Sequence, residues 1–277
     1  MQPGSASLDL PAYLARIGYS GELSPVRSVF EALHLAHTTH IPFENLDVLL
    51  GKPIRLDLAS LQNKLVLGRR GGYCFEHNLL FAAVLRQLGF SLTQLAARVR
   101  YGTTAVLPRT HMLLQVDLNG EPWIADVGFG AEGLLQPLPM TSPDPVPQFA
   151  WSYRVIEDAG LRVIQTLNDE KWIDLYAFSL EPQLAVDYEI ANHYVSTHPA
   201  SRFVRSLTAQ LQSPEVRYVI RNREFIEDRG STRSTRTLAD DDQLLGVLRE
   251  CFGLDFPTGT RFPGLNREAF VIAQNDR

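Results

Sequence analysis

The stretch THMLLQVDLNGEPWIADVG, from Thr110 to Gly128, carries the strongest β-hairpin signal in the chain. Two apolar-rich runs flank Asn119-Gly120, a dipeptide that favours a two-residue hairpin turn. Counted outward from that turn, His111 faces Gly128, and His111 and Asp126 become diagonal neighbours on one face. Diagonal Cβ atoms lie about 7 Å apart, a gap that an imidazole and a carboxylate can bridge. The turn therefore predicts a His–Asp pair, although such pairs also occur in purely structural sheets.

A second stretch, RGGYCFEHN from Arg70 to Asn78, contains one of the two cysteines in the chain. Gly71 and Gly72 allow the backbone to turn sharply into a helix that is predicted to begin at about Cys74. A thiol in the first turn of a helix lies at the positive end of the helix dipole, which favours the reactive thiolate. The charge of Glu76 acts in the opposite direction, so activation requires a histidine partner. Position alone leaves two interpretations open, a nucleophile and a buried apolar filler.

Cys74, His111 and Asp126 come from different elements, and each has a local reason for its placement. Together they match a nucleophile, a general base and a residue that orients the base. Asp126 is expected to fix the tautomer of His111 and to favour its imidazolium form, which in turn favours the thiolate. His77 competes as the base, but no acidic residue is placed to orient it, so His111 is favoured.

The first of three zones along the chain, residues 1–90, is predicted to be helical. Helices are expected to begin at Ser24-Pro25, at Asp57 and at Cys74, because each position offers a cap or a turn. The helix after Asp57 is expected to end at Gly68. The helix from Cys74 is apolar almost all round, so it should be buried.

The second zone, residues 91–185, is predicted to consist of strands. Besides the hairpin at Asn119-Gly120, another hairpin is expected around Asp158-Ala159-Gly160. Successive hairpins favour an antiparallel barrel or a strongly curved sheet. The stretch from Leu134 to Pro147 carries five prolines, which predicts a connecting loop.

The third zone, residues 186–277, mixes helices and strands, so the fold class is α+β. Its predicted elements are a helix over about Val186 to Val195, strands over Arg217 to Ile220 and Glu224 to Glu227, and a helix over Asp241 to Phe252. The last helix carries Cys251 on its apolar stripe, and Cys251 is therefore interpreted as a core residue.

The composition is that of an ordinary globular protein, with 45% hydrophobic and 21% charged residues and a net charge of -5. This balance predicts neither a nucleic-acid partner nor a membrane partner. The locally basic stretch from Arg217 to Arg236 contains acids and is interpreted as a solvated sheet edge. Two cysteines form no disulfide framework, and the N-terminus lacks the pattern of a secretory signal, so a cytoplasmic location is expected.

Five motifs carry a resemblance to one known family. They are YLARIGY (Tyr13 to Tyr19), IPFENLDVLLG (Ile41 to Gly51), RGGYCFEHN (Arg70 to Asn78), ARV…THMLL (Ala97 to Leu114) and IADVGFG (Ile124 to Gly130). Through them the chain resembles the arylamine N-acetyltransferases, from about Tyr13 to at least Phe129. The combination of RGGYC with DVGFG is highly specific.

The resemblance implies an acyltransferase that uses acetyl-CoA and an aromatic amine, a hydrazine or a related N or O acceptor, without a metal. The positions that match the family's catalytic triad are Cys74, His111 and Asp126. The implied fold is an N-terminal helical bundle, a central antiparallel β-barrel and a C-terminal α/β lid. The first two parts resemble the core of papain-like cysteine proteases.

The resemblance also implies candidate substrate-binding and cofactor-binding residues. Phe129 is expected to face an aromatic substrate, and Phe43 and Phe203 match pocket-lining positions. Thr110 is a candidate contact of CoA, and Gly128 and Gly130 could let the backbone approach the cofactor. For each aromatic residue, packing in the core is the open alternative.

Two further clusters are interpreted as structural. Glu44 and Arg70 belong to family motifs, and we expect a buried ion pair between them that supports the Cys74 loop. His34, His37 and His40 recur at three-residue spacing, but no cysteine or acidic cluster accompanies them. We therefore expect no metal site there.

Two other functions remain open at this stage. A cysteine hydrolase or peptidase would use the same triad to transfer an acyl group to water. A non-catalytic binding module would retain the fold without an activated thiol. Acetylation of Cys74 by acetyl-CoA distinguishes the first alternative from a transferase, and the reactivity of the thiol tests the second.

Overall fold

The computed structural model describes residues 7–263, and it confirms the predicted α+β fold class. The α-helices of these residues are α1 (Leu10–Arg16), α2 (Arg27–His40), α3 (Leu46–Leu49), α4 (Leu58–Leu61), α5 (Cys74–Gln87), α6 (Ala185–Thr197), α7 (Arg202–Arg205) and α8 (Asp241–Phe252). The strands are β1 (Phe43–Glu44), β2 (Ser91–Val99), β3 (His111–Leu118), β4 (Glu121–Ala125), β5 (Leu138–Pro139), β6 (Val146–Gln148), β7 (Trp151–Asp158), β8 (Leu161–Asn168), β9 (Lys171–Phe178), β10 (Thr208–Gln212), β11 (Arg217–Arg221), β12 (Glu224–Asp228) and β13 (Arg233–Thr237).

The N-terminal helices follow the predicted pattern with one difference at a helix start. Asp57 caps α4 as predicted, because its Oδ1 accepts a hydrogen bond of 2.9 Å from the Ser60 amide. The prediction that a helix begins at Ser24-Pro25 is wrong, since α2 begins at Arg27. The Ser24 hydroxyl donates instead to Glu22, and Val26 has an extended backbone that delays the first helical turn.

The central strands form an eight-stranded antiparallel sheet in the order β5-β4-β3-β2-β9-β8-β7-β6, which curves into a nearly closed barrel. The predicted register of the first hairpin is confirmed from Leu118–Glu121 to Leu114–Ala125. Asn119 and Gly120 both have positive φ angles, of 57° and 86°, as the two-residue turn requires. The ladder of backbone hydrogen bonds ends before the register reaches His111 and Asp126.

The C-terminal part is a five-stranded sheet in the order β1-β10-β11-β12-β13, with α8 packed against it. β11, β12 and α8 lie where they were predicted, whereas β10 and β13 were not predicted. β1 comes from the helical zone and pairs with β10, and Phe43 also forms a bridge with Gly72. The C-terminal sheet therefore reaches the loop before Cys74.

Arg217 corrects the interpretation of the basic stretch as a solvated edge. β13 is indeed exposed along its length, but Arg217 in β11 is buried. Its guanidinium pairs with Glu132 at 3.0 Å, donates to the Tyr153 hydroxyl at 2.6 Å and lies 3.9 Å from the Trp151 ring centroid. These partners offset part of the cost of burying the guanidinium, whose Nε has no hydrogen-bond partner among the described residues.

Two other expectations have different outcomes. Cys251 is half-buried and packs against the C-terminal core, as its place on the apolar stripe predicted. The division into domains at residues 90 and 185 stays a prediction. Within residues 7–263, no helix is long and apolar enough to cross a membrane.

Candidate active site

Cys74 is the first residue of α5, a buried 14-residue helix. Tyr73 precedes it with an extended backbone, and the Tyr73 amide donates a 3.0 Å hydrogen bond to the Glu76 carboxylate. The two preceding glycines permit close packing, because a Cβ on Gly71 would overlap the Pro42 carbonyl and one on Gly72 would overlap Glu76. The sequence therefore places the sulfur at the positive end of a helix on a tightly packed loop.

A network of buried charges surrounds this loop. The predicted ion pair between Glu44 and Arg70 is confirmed at 2.6 Å, and Arg70 also contacts Asp47 at 3.1 Å. Lys64 contacts Glu76 at 2.7 Å and Asp47 at 3.3 Å. The negative charge of Glu76, which was expected to oppose thiolate formation, is therefore paired with Lys64. The sequence pattern did not indicate Lys64.

His111 and Asp126 form the pair that the hairpin register predicted. His111 Nε2 lies 2.7 Å from Asp126 Oδ2, and both side chains are buried. Burial favours the neutral ring, but the charge of Asp126 and the Cys74 side chain outweigh it and raise the pKa of His111 to about 10. These contacts therefore favour the imidazolium form of the ring.

Asp126 is held as a carboxylate by the groups around it. Its Oδ1 accepts hydrogen bonds of 3.0 Å from Asn78 Nδ2 and of 3.0 Å from the Gly128 amide. Burial alone would raise the pKa of Asp126, but the charge of His111 and these donors lower it. The Asp126 amide in turn donates to His34 Nε2 at 3.2 Å, and burial lowers the pKa of His34 to about 4.

Asn78 takes the place of the next step in the hairpin ladder. The register would pair Met112 with Val127, but the Asn78 amide group lies between them. Its Nδ2 donates to the Met112 carbonyl at 2.8 Å, and its Oδ1 accepts from the Val127 amide at 3.2 Å. Asn78 lies one helical turn after Cys74, so the same side chain fixes the hairpin end to the nucleophile helix.

The hairpin end packs directly on the start of α5. A Cβ on Gly128 would lie 2.8 Å from the Cα of Cys74, so only glycine allows this approach. The Cys74 thiol donates to the Thr110 carbonyl at 3.5 Å. The His111 side chain interacts with both the Cys74 side chain and Asp126, so the structure brings the three residues together.

The predicted aromatic residues form two groups beside this centre. Phe129 packs edge-on against His111, with ring centroids 5.2 Å apart. Phe43 and Phe203 contact each other at 5.8 Å, and Phe203 also contacts Tyr73 at 5.7 Å. Phe129 is half-buried, whereas Phe43 and Phe203 are buried.

Thr110 and Gly130 have neighbours of their own. The carbonyl of Thr110 faces the thiol, while its hydroxyl contacts the Pro108 carbonyl. Gly130 has a positive φ of 99°, and a Cβ there would overlap the side chain of Gln210. Gln210 accepts a 2.8 Å hydrogen bond from the Ala131 amide, so β10 supports the loop after Asp126.

The remaining histidines of the first zone have hydrogen-bond partners within the protein. His77 Nε2 lies near the carbonyls of Pro42 and Gly72, and its Nδ1 contacts His37. Among residues 7–263, no group of three or more His, Cys, Asp or Glu side chains is arranged to hold a metal ion. The expectation of a metal-free protein stays a prediction.

Several supporting residues that the fold assembles were not predicted from the sequence. Tyr176 lies with its ring centroid 4.6 Å from that of His111, although it is distant in sequence. Asn78 offered the best available signal, because a polar residue one turn after a candidate nucleophile shares its helix face. The other missed residues are Lys64, His34 and Gln210.

Comparisons with known proteins agree with this fold. A family model described as N-acetyltransferase matches residues 28–260. The chain is 40% identical to an arylamine N-acetyltransferase of Escherichia coli K12, over 95% of each chain. The crystal structure of Nocardia farcinica arylamine N-acetyltransferase is 40% identical, covers 92% of both chains and has a TM-score of 0.87. The Mycobacterium marinum enzyme in complex with CoA is 35% identical, has a TM-score of 0.85, and the match covers 88% of this chain and 92% of that one.

The fold and these matches define an acyltransferase of the N-acetyltransferase class. Within that class, the chain belongs to the arylamine N-acetyltransferase family. The predicted helical bundle, antiparallel barrel and C-terminal lid on a papain-like core are the fold of this family.

Proposed function

We propose that this protein transfers an acetyl group from acetyl-CoA to an aromatic amine, a hydrazine or a related acceptor through an acetyl-cysteine intermediate on Cys74. The observation that carries the proposal is the buried arrangement of Cys74, His111 and Asp126 at the start of α5. Membership of the family and the CoA bound to the Mycobacterium marinum relative support the choice of donor.

In the first half-reaction, the Cys74 thiolate attacks the acetyl carbonyl of acetyl-CoA. The bond between the carbonyl carbon and the CoA sulfur breaks, and the departing thiolate takes a proton from the His111 imidazolium. Asp126 holds His111 through Nε2, so Nδ1 is the nitrogen that exchanges the proton. The products are acetyl-Cys74 and CoA thiol.

In the second half-reaction, the amine nitrogen attacks the thioester carbonyl of acetyl-Cys74. Neutral His111 accepts a proton from the amine, the carbon–sulfur bond breaks, and the Cys74 thiolate returns. An arylamine suits this step because it is neutral at physiological pH and keeps its lone pair. Both steps need one base that alternates between its two protonation states.

Binding roles for the surrounding residues follow from their places around the thiol. Phe129 lies against His111 and is proposed to contact the arene of the acceptor. Phe43 and Phe203 are proposed to line the same pocket from the side of Tyr73. Thr110 and Gly130 are proposed to lie along the acetyl-CoA path.

Mass spectrometry after mixing the protein with acetyl-CoA, without amine, tests the first half-reaction. We expect one acetyl group on Cys74, absent from Cys74→Ala and retained in Cys251→Ala, the matched control for the second cysteine. Addition of an arylamine should discharge the adduct to acetylated amine. An unmodified wild-type protein would contradict the proposal, and rapid release of acetate without amine would favour the hydrolase.

A further inference from the structure

A chain of three buried side chains runs from α1 to the loop before Cys74, outside the proposed catalytic groups. The Tyr13 hydroxyl lies 2.8 Å from His37 Nδ1, and His37 Nε2 lies 2.9 Å from His77 Nδ1. His77 Nε2 lies 3.2 Å from the Pro42 carbonyl and 3.1 Å from the Gly72 carbonyl. All three side chains are fully buried, at 0% exposure.

The acceptors at the end of this chain fix the direction of every hydrogen bond. Carbonyl oxygens only accept, so His77 Nε2 must carry a proton and donate it to Pro42 and Gly72. In a neutral His77, Nδ1 then accepts from His37 Nε2. His37 Nδ1 in turn accepts from the Tyr13 hydroxyl. This single arrangement of protons gives every polar side-chain atom of the three residues a hydrogen-bond partner.

The surroundings keep both histidines neutral. Burial lowers the pKa of His77 to about 4 and, as the largest cause, moves the pKa of His37 well below its usual value. The His37 ring packs edge-on against Phe81, and the His77 ring stacks on Phe43. A protonated ring in the chain would turn an acceptor into a second donor and break a link.

The two carbonyls that His77 reaches belong to different segments. Pro42 leads into β1, and Gly72 lies two residues before Cys74. The Gly72 amide donates to the Pro42 carbonyl at 3.3 Å, and the Gly72 carbonyl accepts from the Glu44 amide at 2.7 Å. His77 therefore completes a small hydrogen-bond network with Pro42, Gly72 and Glu44, on the segment that carries Cys74.

We propose that His77 is a positioning residue for Cys74, and that His37 and Tyr13 hold its ring in the donating tautomer. This inference rests on the proposed role of Cys74 as the nucleophile. His77 does not act as a base, because its Nδ1 accepts from His37 and its Nε2 donates to the two backbone carbonyls. The essential atom is the Nε2 proton, which fixes the Gly72 carbonyl and hence the direction of the loop.

Two substitutions of His77 separate positioning from packing. The amide nitrogen of glutamine can reach the place of Nε2 and donate to the carbonyls, whereas the shorter asparagine cannot. The initial rate of Cys74 acetylation by acetyl-CoA should fall on the order of 100-fold in His77→Asn, the effect of a misplaced reacting group. His77→Gln should retain most of the rate, and KM for acetyl-CoA should change little in both.

Tyr13→Phe provides a milder variant that keeps the ring and removes the hydroxyl at the far end of the chain. We expect acetylation of Cys74 to slow on the order of fivefold, the effect of one lost neutral hydrogen bond. Tyr188→Phe is the matched control, because its buried hydroxyl donates to the Leu95 carbonyl at 3.1 Å and takes no part in the hydrogen-bond network of His77. That control should acetylate at the wild-type rate.

Alkylation of Cys74 by iodoacetamide provides a readout that does not depend on acetyl-CoA. Faster alkylation of His77→Gln than of His77→Asn supports the positioning role, even if acetyl-CoA does not acetylate the wild type. A lack of acetylation would contradict only the proposed function. Equal loss in both His77 variants, in step with a falling Tm, would overturn the inference and leave a packing role. Unchanged rates in both folded variants would overturn it as well.

Discussion

Asp126 is the residue at which the candidate site converges. It accepts hydrogen bonds from His111, Asn78 and the Gly128 amide, and its own amide donates to His34. These three donors lower the pKa of the buried carboxylate, and its charge raises the pKa of His111 and favours the protonated ring. Among the charged groups around His111, this carboxylate therefore has the largest effect on its pKa.

Asp126→Asn should leave the fold intact and remove this charge. His111 has a pKa of about 10 because Asp126 outweighs burial, so without Asp126 burial prevails and the ring loses its proton at a lower pH. We expect kcat/KM for acetyl transfer to fall on the order of 10³–10⁴-fold, as for loss of the orienting carboxylate elsewhere. NMR titration of His111 should show the lowered pKa directly.

Asp117→Asn is the control for that substitution, because Asp117 lies on the same hairpin but is exposed and accepts a hydrogen bond from the Gly120 amide. It should keep wild-type activity. A folded Asp126→Asn protein with normal turnover would exclude a catalytic role for the pair.

At the scale of elements, the central junction is between α5 and the β3–β4 hairpin. Asn78 replaces a backbone pairing there, so two buried backbone groups depend on one side-chain amide. Asn78→Ala should leave the Met112 carbonyl and the Val127 amide unpaired. We expect the free energy of unfolding to fall by about 1–3 kcal/mol, measured by urea denaturation.

The activity of Asn78→Ala should also fall, because the hairpin end that holds His111 loses its link to the Cys74 helix. Asn168→Ala, at the exposed last residue of β8, should change neither quantity. An unchanged unfolding free energy for Asn78→Ala would mean that the hairpin and the helix are held together elsewhere.

The elements differ in how far the sequence could predict them. Asn119-Gly120 fixes a turn through its own backbone preferences, and the register up to Ala125 follows without tertiary information. α8 is equally local, since Asp240 caps it and Gly253 ends it in the left-handed conformation. β10 was missed because its sequence, TAQLQ, has weak strand preference and is stabilised by pairing with β1 and β11.

The site shows the same division. Cys74, His111 and Asp126 were found because local turns and a helix start place them. Lys64, His34 and Tyr176 were not found, since their contacts join segments far apart in sequence, and nothing in the local pattern of each residue indicates its partner.

At the scale of the whole molecule, Arg217 joins the C-terminal sheet to the barrel. It contacts Glu132 in the loop after the proposed catalytic aspartate and Tyr153 in β7. Arg217→Gln would leave Glu132 partly buried without its cation. We expect a loss of about 3–5 kcal/mol in the free energy of unfolding, together with reduced activity.

The exposed pair of Arg249 and Asp255 is the comparison for this prediction, since both side chains are largely in solvent. Arg249→Gln should cost about 0–1 kcal/mol. Equal effects of the two substitutions in thermal denaturation would show that Arg217 does not join the two parts.

The position of β10 has a consequence for how the protein is made. Phe43 and Glu44, before the cysteine loop, pair with Gln210 and Ala209, and Gln210 also supports the loop after Asp126. A ribosome that has reached residue 200 has already polymerised Cys74, His111 and Asp126, yet the strand that braces both loops does not exist. In the order of translation, the support for the thiol is therefore completed only after β10, which follows all three proposed catalytic residues along the chain.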